Sequence, residues 1–535
     1  MIRWKPGEIG RASVVNEHVL DRFESCPNVD IGEHPPKLSP AIDRLPRRRR
    51  GEVRLMGART GSEFLAGLRD GREVWLGGER VADVTTHPSL TGAAHSIAGI
   101  YDLQHERADE CLIPDAETGE LIHASHMIPR NKEDVLRRHV ALRLNAEYSA
   151  GIMGRSPDYM NVTYAGFAGA PSVWGANGNR QGAENLVAFQ KELRRRDLCL
   201  THTIIHPTTD RSQGDTPLPG SDISLHKVGE TSDGIIVRGA RILATLAPFA
   251  DEIAVYPAQP ALPGTEEFML SFSIPMGTPG LKFLCRDSYS LPKNSFDHPV
   301  SSRFDEQDGF VIFDDVVIPH DRVFLDGNLP VYNSVMMTSW WPNITQQTMI
   351  RAHTKLEFAH ELGTRMAEVL NDKRAATMEM LGEVWTYAEF ARCAIRTAEA
   401  DSREYEDGAW FPAHAPMAAL RASLPQWFPR VNEILQLIGS HNLLAVASEG
   451  MLGDSALRPL IDKYLRGAGE VGAEERSRIF RLAWDFTGSA LANRVELYER
   501  FYLASGPRNM QGAQRLAMAD RPTRTRLLDQ FLAID

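Results

Sequence analysis

The chain has 535 residues, which is too many for one hydrophobic core of ordinary size, so about two to four domains or layers are expected. Its hydrophobic fraction of 43% and its charged fraction of 24% are those of an ordinary globular protein. A formal charge of -11 argues against general affinity for nucleic acid or anionic membranes and leaves small molecules and other proteins as the expected partners.

Pattern changes divide the chain into four segments. Residues 1–58 contain helix-breaking prolines and four arginines at 47–50, so we expect a partly flexible extension whose basic run is either a solvated linker or an anion contact. Helical periodicity dominates residues 59–196, notably 132–150 and 182–196, with a small hairpin around residues 77–78. Short β-branched runs follow in residues 197–328, at 203–205, 234–237, 253–255, 268–274, 281–284 and 310–313. Amphipathic segments at 345–372, 375–401, 418–439 and 473–494 predict a helical bundle in residues 329–535.

The order of these segments predicts an α+β fold with a helical domain, a compact antiparallel β domain and a helical bundle. Residues 467–472, GAGEVG, match a dinucleotide fingerprint, but a helical pattern rather than a strand precedes them. We therefore interpret this string as a turn between helices and expect no nicotinamide site of the usual kind.

The cysteines and the N-terminus favour the cytoplasm. Five cysteines lie far apart without a CxxC pair, so neither a disulfide framework nor a thiolate zinc site is expected. The first residues lack an apolar core of signal-peptide length, and no later run reaches the roughly 18 apolar residues that span a bilayer. We expect a cytoplasmic protein that contacts neither membrane nor nucleic acid.

Two polar stretches are candidates for a functional site. Residues 154–159, GRSPDY, and 201–211, THTIIHPTTDR, place proton donors and acceptors in apolar surroundings. His202 and His206 have the spacing of a zinc pair, but they lie in a β-branched run without the glutamate of HExxH, so no metal site is predicted. Each stretch also has a simpler interpretation, with His202 as a core residue and 156–158 as a turn or helix cap. Spacing alone leaves both interpretations open.

These stretches belong to a collinear pattern. Together with residues 70–75, 83–88, 233–240, 297–306, 313–319 and 497–500, they resemble the 4-hydroxyphenylacetate 3-hydroxylase family, the oxygenase components of two-component flavin-dependent aromatic monooxygenases. The resemblance runs from about Arg59 to the C-terminus and leaves out the first 58 residues. It implies a fold similar to that of acyl-CoA dehydrogenases, with a C-terminal bundle that builds a homotetramer.

The resemblance implies a reaction as well. Reduced FAD would arrive from a separate NAD(P)H:flavin reductase and react with O2 to form a C4a-hydroperoxide, whose terminal oxygen is transferred ortho to the hydroxyl of a phenol. The lack of a nicotinamide-binding motif agrees with a separate reductase.

The resemblance also implies residue roles. His202 would bind and ionise the phenolic oxygen, while Arg155 and Tyr159 would supply positive charge and a hydroxyl donor. His298 would be either an additional base or part of a structural turn. Further substrate contacts would come from Ser156, Pro157, Asp158, Pro257 and Ala258. The flavin would contact His202, Thr203, Ile204, Ile205, Thr208, Thr209, Asp210, Arg211, Thr245, Ser505, Gly506, Pro507 and Arg508.

The chain departs from the 4-hydroxyphenylacetate enzymes around the substrate. Residues 257–267, the expected substrate loop, contain three prolines and two acids and lack the Ser-Thr pair that would hold a small carboxylate. Residues 246–250, LAPFA, are more apolar than in those enzymes. We therefore expect a larger phenol, such as a tyrosine-derived or natural-product intermediate.

Two other functions share this scaffold. An enzyme of the 4-hydroxybutyryl-CoA dehydratase type would need cysteines near the flavin for a [4Fe-4S] cluster, and residues 151–162 contain none. The other possibility is a non-catalytic paralogue that keeps the scaffold without the chemistry. The presence of Arg155, Tyr159 and His202 together argues against it.

Overall fold

The structure, a computed structural model, describes residues 57–210, 212, 217–257, 260–290, 294–502, 504–519 and 526–533. The predicted extension of residues 1–58 therefore lies, apart from its last two residues, outside the described part of the chain. Among the described residues, no helix combines the length and the apolar character needed to cross a bilayer.

From Gly61 to Arg196 the chain is mostly helical. The helices are α1 (Gly61–Gly67), α2 (Thr91–Glu106), α3 (Ala108–Cys111), α4 (Lys132–Tyr148), α5 (Pro157–Ala168), α6 (Pro171–Trp174) and α7 (Arg180–Arg196). The short strands are β1 (Glu73–Leu76), β2 (Glu79–Arg80), β3 (Leu112–Pro114) and β4 (Leu121–His123). Helices α4 and α7 confirm the helical patterns predicted at 132–150 and 182–196.

Strands dominate the next part of the chain. They are β5 (Leu200–Thr203), β6 (His226–Glu230), β7 (Gly234–Thr245), β8 (Glu252–Val255), β9 (Leu270–Pro275), β10 (Leu281–Cys285), β11 (Asp308–Pro319) and β12 (Val323–Asp326). All six predicted β runs overlap these strands.

The strands form a six-stranded sheet in the order β2-β1-β10-β11-β7-β6 and a four-stranded sheet in the order β12-β9-β8-β5. The pairs are antiparallel except for β1 with β10 and β5 with β8, which are parallel. These two parallel pairs depart from the predicted antiparallel arrangement of the β domain. Parallel neighbours need long crossovers, so no hairpin signal marks them in the sequence. Because β1 joins the sheet of the following segment, the domain boundaries at 59, 197 and 329 stay a prediction.

The rest of the described chain is helical apart from a small hairpin. After α8 (Leu329–Val335) and a π-helical turn (Met336–Trp340) come α9 (Trp341–Val369), α10 (Ala375–Ala400), β13 (Arg403–Glu404), β14 (Trp410–Phe411), α11 (His414–Gly439), α12 (Glu449–Gly453), α13 (Arg458–Tyr464), α14 (Ala473–Thr487), α15 (Ala490–Phe501), α16 (Gly506–Ala519) and α17 (Arg526–Leu532). Residues 467–472 connect α13 to α14, which confirms that this string is a turn between helices.

The prediction of one helix over 473–494 was wrong. The chain breaks between α14 and α15, where Ser489 caps α15 by accepting a hydrogen bond from the Ala492 amide. At Gly488 a Cβ atom would lie 2.5 Å from the Trp484 ring, so the chain passes this indole too closely for a larger residue. Hydrophobic periodicity continues through the break and therefore does not reveal it.

A buried ion group ties α15 to α9. Arg351 donates to the two carboxylate oxygens of Glu499 at 2.7 and 2.8 Å, and the Lys355 Nζ lies 3.2 Å from Glu499. Burial acts to raise the pKa of Glu499, but the two cations outweigh burial and lower it. The carboxylate is therefore ionised within the core.

We expect Glu499→Gln to destabilise the protein by about 3–5 kcal/mol, because it leaves two buried cations without a counter-charge. The measurement is the thermal unfolding midpoint. Glu496→Gln is the matched control on the same helix, since the Glu496 side chain is 26% exposed and pairs with Arg500 near the surface. Its expected loss is below about 1 kcal/mol. Equal midpoints for the two variants would contradict the prediction.

Candidate active site

The start of α5, the strand β5 and the end of β8 bring three aromatic rings into one stack. The His202 ring lies between Tyr159, at a centroid distance of 5.4 Å and an interplanar angle of 19°, and Tyr256, at 5.3 Å and 25°. All three side chains are buried. Because both faces of the imidazole are covered, a ligand can reach only its edge.

Arg155 completes this group from the turn before α5. Its guanidinium carbon lies 4.0 Å from the centroid of the Tyr159 ring. Its Nη1 donates a hydrogen bond to the Tyr498 hydroxyl, and its amide donates to Glu306 at 2.7 Å. The close approach of α15 depends on Gly154, where a Cβ atom would lie 2.1 Å from the Tyr498 hydroxyl. The α5 turn thus fixes the cation against two tyrosines.

Electrostatics keeps Arg155 charged and His202 neutral. Burial opposes the charge of Arg155, but the neighbouring Tyr159 and Tyr498 phenols outweigh burial and raise its pKa. Burial and the Arg155 charge hold the pKa of His202 well below its usual value. At physiological pH the site therefore combines a permanent cation with a neutral imidazole that can accept a proton.

Helix α5 begins with a buried carboxylate. Ser156 precedes the first turn, in which Pro157 fits because its missing N–H needs no partner. The Ser156 hydroxyl donates to Asp158 at 2.5 Å, and the Gln347 amide donates to the same carboxylate at 3.4 Å. Burial raises the pKa of Asp158 to about 6 against the effect of these hydrogen bonds.

We expect Asp158→Asn to raise the thermal midpoint above pH 6 and to leave it nearly unchanged near pH 4. An unfolded aspartate titrates near about 3.9, so between about pH 4 and 6 the folded protein keeps a proton that the unfolded chain has lost. The raised pKa therefore lowers the free energy of unfolding by about 3 kcal/mol as the pH rises from about 4 to 6. Below about pH 4 this loss is absent, because Asp158 is then protonated in both states. Asp109→Asn, at an exposed position, controls for the loss of one negative charge. A midpoint difference that does not vary with pH would contradict the prediction.

The structure places two of the predicted flavin contacts at the junction of β5 and β7. The Thr203 hydroxyl donates to the Ile242 carbonyl oxygen at 3.0 Å, and the Thr245 hydroxyl donates to Asp308 at 2.8 Å. Asp308 in turn pairs with Arg286 at 2.8 Å and also with Arg494 of α15. Each hydroxyl keeps acceptor capacity for a ligand.

The other predicted contacts after β5 lie farther out. Ile204 is half-buried, whereas Ile205, Thr208, Thr209 and Asp210 are exposed. Arg211 and Ala258 lie outside the described residues, and Pro257 is buried directly after Tyr256. The roles of these residues stay predictions.

Ser505 directly precedes α16, and Gly506, Pro507 and Arg508 form its first turn. Arg421 of α11 lies 3.7 Å from the centroid of the Trp341 ring. Burial lowers the pKa of Arg421 to about 10, with Arg508 acting in the same direction and the Tyr502 and Tyr159 phenols against it. Arg508 is therefore close enough to Arg421 for its charge to lower the pKa of Arg421.

His298 lies in the turn of residues 295–302. The amides of Val300 and Ser301 in this turn donate to Asp485 of α14, both at 2.8 Å, and Asp297 lies 3.4 Å from Arg481. The position of His298 is thus tied to the C-terminal helices, and its role as a base stays a prediction.

Four residues of this region were missed by sequence reasoning, namely Tyr256, Trp340, Tyr498 and Tyr502. The Tyr498 and Tyr502 rings stack at 4.4 Å, and the Arg155 guanidinium lies 5.2 Å from the Tyr502 centroid. Tyr498 lies within residues 497–500, which belong to the family pattern, and Tyr256 directly precedes the predicted substrate contact Pro257. Closeness in sequence to these residues was the only sign in the sequence that the two tyrosines belong to the site.

The buried polar atoms of the group fit a ligand with a polar edge. His202 Nδ1, Tyr256 Oη, Arg155 Nε and Trp340 Nε1 are buried and form no hydrogen bond within the described structure. These four atoms around one stack are available to hydrogen-bond a bound ligand. A phenol oxygen and the polar edge of an isoalloxazine ring have matching donors and acceptors.

Comparisons with known proteins agree with this chemistry. Models of the N-terminal and C-terminal parts of 4-hydroxyphenylacetate 3-hydroxylase match residues 60–325 and 332–533. The oxygenase component of Thermus thermophilus 4-hydroxyphenylacetate 3-monooxygenase is 36% identical over 461 residues, or 85% of this chain and 93% of that protein. A Streptomyces globisporus monooxygenase, named for a chlorinated 3-amino-3-(4-hydroxyphenyl)propanoyl group on a peptidyl-carrier protein, is 33% identical over 457 residues, or 83% of this chain and 84% of that protein.

A solved structure matches as well. The crystal structure of the oxygenase component HpaB with FAD and 4-hydroxyphenylacetate superposes with a TM-score of 0.83 at 34% identity and covers 88% of this chain and 98% of that one. This match confirms the predicted fold class. The chain therefore belongs to the 4-hydroxyphenylacetate 3-hydroxylase family.

Proposed function

We propose that His202, Arg155 and Tyr159 bind and ionise a phenol at the edge of the aromatic stack. As a member of its family, the chain is a flavin-dependent aromatic monooxygenase, the oxygenase component of a two-component system. The observation that carries the assignment of the site is the buried Tyr159 ring, which stacks on a neutral imidazole with an unpartnered nitrogen and also contacts a permanent cation.

His202 accepts the phenolic proton through its unpartnered Nδ1. The phenolate that forms beside it offsets the burial and the Arg155 charge, which lower the pKa of the imidazole when no ligand is bound. Arg155 stabilises the negative charge that then develops on the phenolate oxygen. The Tyr159 ring stacks on one face of the His202 imidazole, and the Arg155 guanidinium also contacts the Tyr159 ring. An ionised ring is electron-rich at the ortho position, where the new oxygen is attached.

FAD in its reduced form, together with O2, supplies the oxygen atom for this transfer. Thr203, Thr245 and the exposed residues after β5 would hold the flavin, with the segment 505–508 as a further contact. A cleft of about 780 Å³ lies between the ends of β7, β10 and β11 and helix α15, and its wall includes Asp308 and Arg494. Its size is that of an ordinary cofactor cleft, and we assign it to the extended part of FAD.

Exclusion of water is the other task of the site. Every residue of α5 is buried, and the stack leaves only the imidazole edge accessible. A closed environment disfavours the release of H2O2, which competes with oxygen transfer.

We propose that the substrate is larger than 4-hydroxyphenylacetate, such as a tyrosine-derived or natural-product intermediate. The proline-rich composition of residues 257–267 and the carrier-bound substrate named for the Streptomyces relative support this proposal.

The test is oxygen uptake with FAD, NADH and a flavin reductase, in the presence of phenols that range from 4-hydroxyphenylacetate to tyrosine and tyrosyl carrier protein. We expect catechol formation to exceed H2O2 release for at least one phenol, most strongly for a large one. H2O2 as the sole product with every phenol would contradict the function, and the best coupling with 4-hydroxyphenylacetate would contradict the size argument.

We also propose a cytoplasmic homotetramer that receives reduced flavin from a separate reductase. The described cysteines, Cys111, Cys199, Cys285 and Cys393, form no disulfide, as in a reducing compartment. Large apolar side chains on α10, including Trp385 at 54% and Phe390 at 58% exposure, support association between copies of the chain. Sedimentation velocity would distinguish a tetramer from a monomer.

The iron-sulfur dehydratase is the main alternative. Among the described residues, no three His, Cys, Asp or Glu side chains are grouped as a metal ion requires. Burial raises the pKa of Cys285 to about 12 and that of Cys111 to about 11, which disfavours the thiolates that a cluster needs. Stoichiometric iron and sulfide in anaerobically purified protein would support the dehydratase instead.

A further inference from the structure

Glu306 lies where three parts of the fold meet. Its side chain is buried just before β11. One carboxylate oxygen, Oε1, accepts a hydrogen bond from the Arg155 amide at 2.7 Å, and the other, Oε2, accepts from Arg494 Nη1 at 2.8 Å. The Glu306 carbonyl oxygen accepts from the Leu246 amide at 3.1 Å. Glu306 therefore joins the turn before α5, the end of β7 and helix α15.

The ion cluster around Glu306 contains one carboxylate more than its arginines need. Arg286 pairs with Asp305 at 2.5 Å and with Asp308 at 2.8 Å. Arg494 pairs with Asp308 and with Glu306. Asp305 and Asp308 alone would balance the two arginines, so Glu306 adds a surplus buried negative charge. A buried charge is costly unless it has a further partner, and that partner is the turn before α5.

Only a carboxylate can hold both neighbours of Glu306 at once. The Arg155 amide and the Arg494 guanidinium are both donors, and glutamate has two acceptor oxygens whereas glutamine has one. A hydrogen bond from a backbone amide to a charged oxygen is also stronger than one to a neutral acceptor. Gly154, directly before Arg155, gives this turn rotational freedom. The carboxylate removes that freedom at the residue from which the guanidinium extends.

Helix α15 holds the other end of Arg155. The Arg155 guanidinium donates to the Tyr498 hydroxyl, and its carbon lies 5.3 Å from the centroid of the Tyr498 ring. The guanidinium carbon of Arg494 lies 5.0 Å from the same centroid. Arg494 thus contacts both Glu306 and Tyr498, which hold the backbone and the side chain of Arg155. These residues form one support for the cation of the site.

We propose that Glu306 is a positioning residue for the hydroxylation, because its carboxylate fixes the backbone of Arg155 and thereby places the guanidinium beside the phenolate oxygen. The proposal rests on the proposed function, in which Arg155 stabilises the phenolate. Glu306 contacts Arg155 through the backbone amide and acts on the substrate only through this residue.

The sign of the effect distinguishes positioning from simple electrostatics. Glu306 carries a negative charge, which by itself disfavours a second negative charge on the phenol. If this charge were its whole effect, removal of Glu306 would favour the phenolate. If Glu306 positions Arg155, its removal displaces the cation and disfavours the phenolate. The two roles therefore predict opposite changes in the ionisation of a bound phenol.

The test measures the ionisation of 4-nitrophenol, whose phenolate is coloured, in an absorbance titration of the flavin-free protein. Glu306→Met keeps the length of the side chain and removes both acceptor oxygens. We expect it to lower the ionisation constant of the bound phenol by about 10-fold, the low end of the effect of one neighbouring opposite charge. Glu306→Gln keeps one acceptor oxygen, so its effect should be smaller. Both variants should fold, because Asp305 and Asp308 still balance the two arginines.

A double-mutant cycle shows whether the effect passes through Arg155. In the Arg155→Met background, Glu306→Met should no longer lower the ionisation constant, since no guanidinium is left to displace. Glu252→Gln is the matched control, because Glu252 is also a buried carboxylate but contacts Arg322 and Ser273 instead. This control should leave the ionisation constant of the bound phenol unchanged.

An unchanged or raised ionisation constant in Glu306→Met, or an equal fall in the Arg155→Met background, would overturn the positioning role. Failure of the proposed function would look different. It would appear as an Arg155→Met variant that ionises bound 4-nitrophenol as well as the parent protein does.

Discussion

Replacing His202 by alanine is expected to leave reduced FAD bound and to divert most of the consumed oxygen to H2O2. The imidazole is neutral, and its Nδ1 is buried without a hydrogen-bond partner, so it can act as the base. Without it the phenol stays protonated and less electron-rich, and oxygen transfer slows by a factor on the order of 10^2 to 10^4. Release of H2O2 then outcompetes transfer. The measurement is the ratio of catechol to H2O2 in single-turnover reactions, together with the Kd for photoreduced FAD.

The alanine variant also removes a ring from between two tyrosines, so a packing effect must be separated from a chemical one. His202→Asn keeps a polar group in the stack but cannot act as a base, and we expect it to leak H2O2 as strongly as the alanine variant. His95→Ala, at an exposed position on α2, is the control for loss of a histidine. A catechol yield equal to that of the parent in His202→Ala would disprove the role.

The second large effect is expected from Arg155→Met, which removes the cation but keeps a side chain of similar length. We expect the rate of oxygen transfer to fall by about 10^2- to 10^3-fold, the usual cost of losing one group that stabilises developing negative charge. The pKa of the bound phenol should rise, because no guanidinium remains to stabilise the phenolate. The pKa of His202 should rise as well, since the Arg155 charge is one of its two depressing influences.

These shifts can be followed through the ultraviolet absorbance of the phenolate in a titration of the flavin-free complex. Arg155→Lys keeps the charge but not the planar fork, so it should recover part of the ionisation and less of the rate. Arg180→Met on the surface of α7, whose side chain is 88% exposed, is the matched control. An unchanged phenol pKa in Arg155→Met would contradict the electrostatic role.

Most of the helices and strands could be predicted because their patterns are long and locally determined. Helices α4, α7, α9, α10 and α11 carry apolar residues at helical spacing over three or more turns, and tertiary contacts do not override such a signal. The break at Gly488 was missed, because it depends on a backbone that passes close to the Trp484 ring. The pairing of β1 with β10 was missed for a related reason, since it joins chain segments that are far apart in sequence.

The candidate site was predicted only in part. Arg155, Tyr159 and His202 lie in strings with distinctive polar residues, and the structure brings all three together. Tyr256 covers the second face of the imidazole, and Tyr498 contacts Arg155 across 343 residues of sequence. A buried tyrosine looks the same in sequence whether it packs in a core or against a catalytic group, so only three-dimensional proximity identifies these two.

The parallel pairing of β1 with β10 has a consequence for synthesis of the chain. Glu73 leaves the ribosome about 200 residues before its partner Lys282, and at typical elongation rates this delay lasts about 10–40 s. During that interval the edge of β1 that later pairs with β10 is unpaired, a state prone to intermolecular strand addition. The nascent protein is therefore expected to depend on ribosome-associated chaperones until roughly its first 290 residues have emerged.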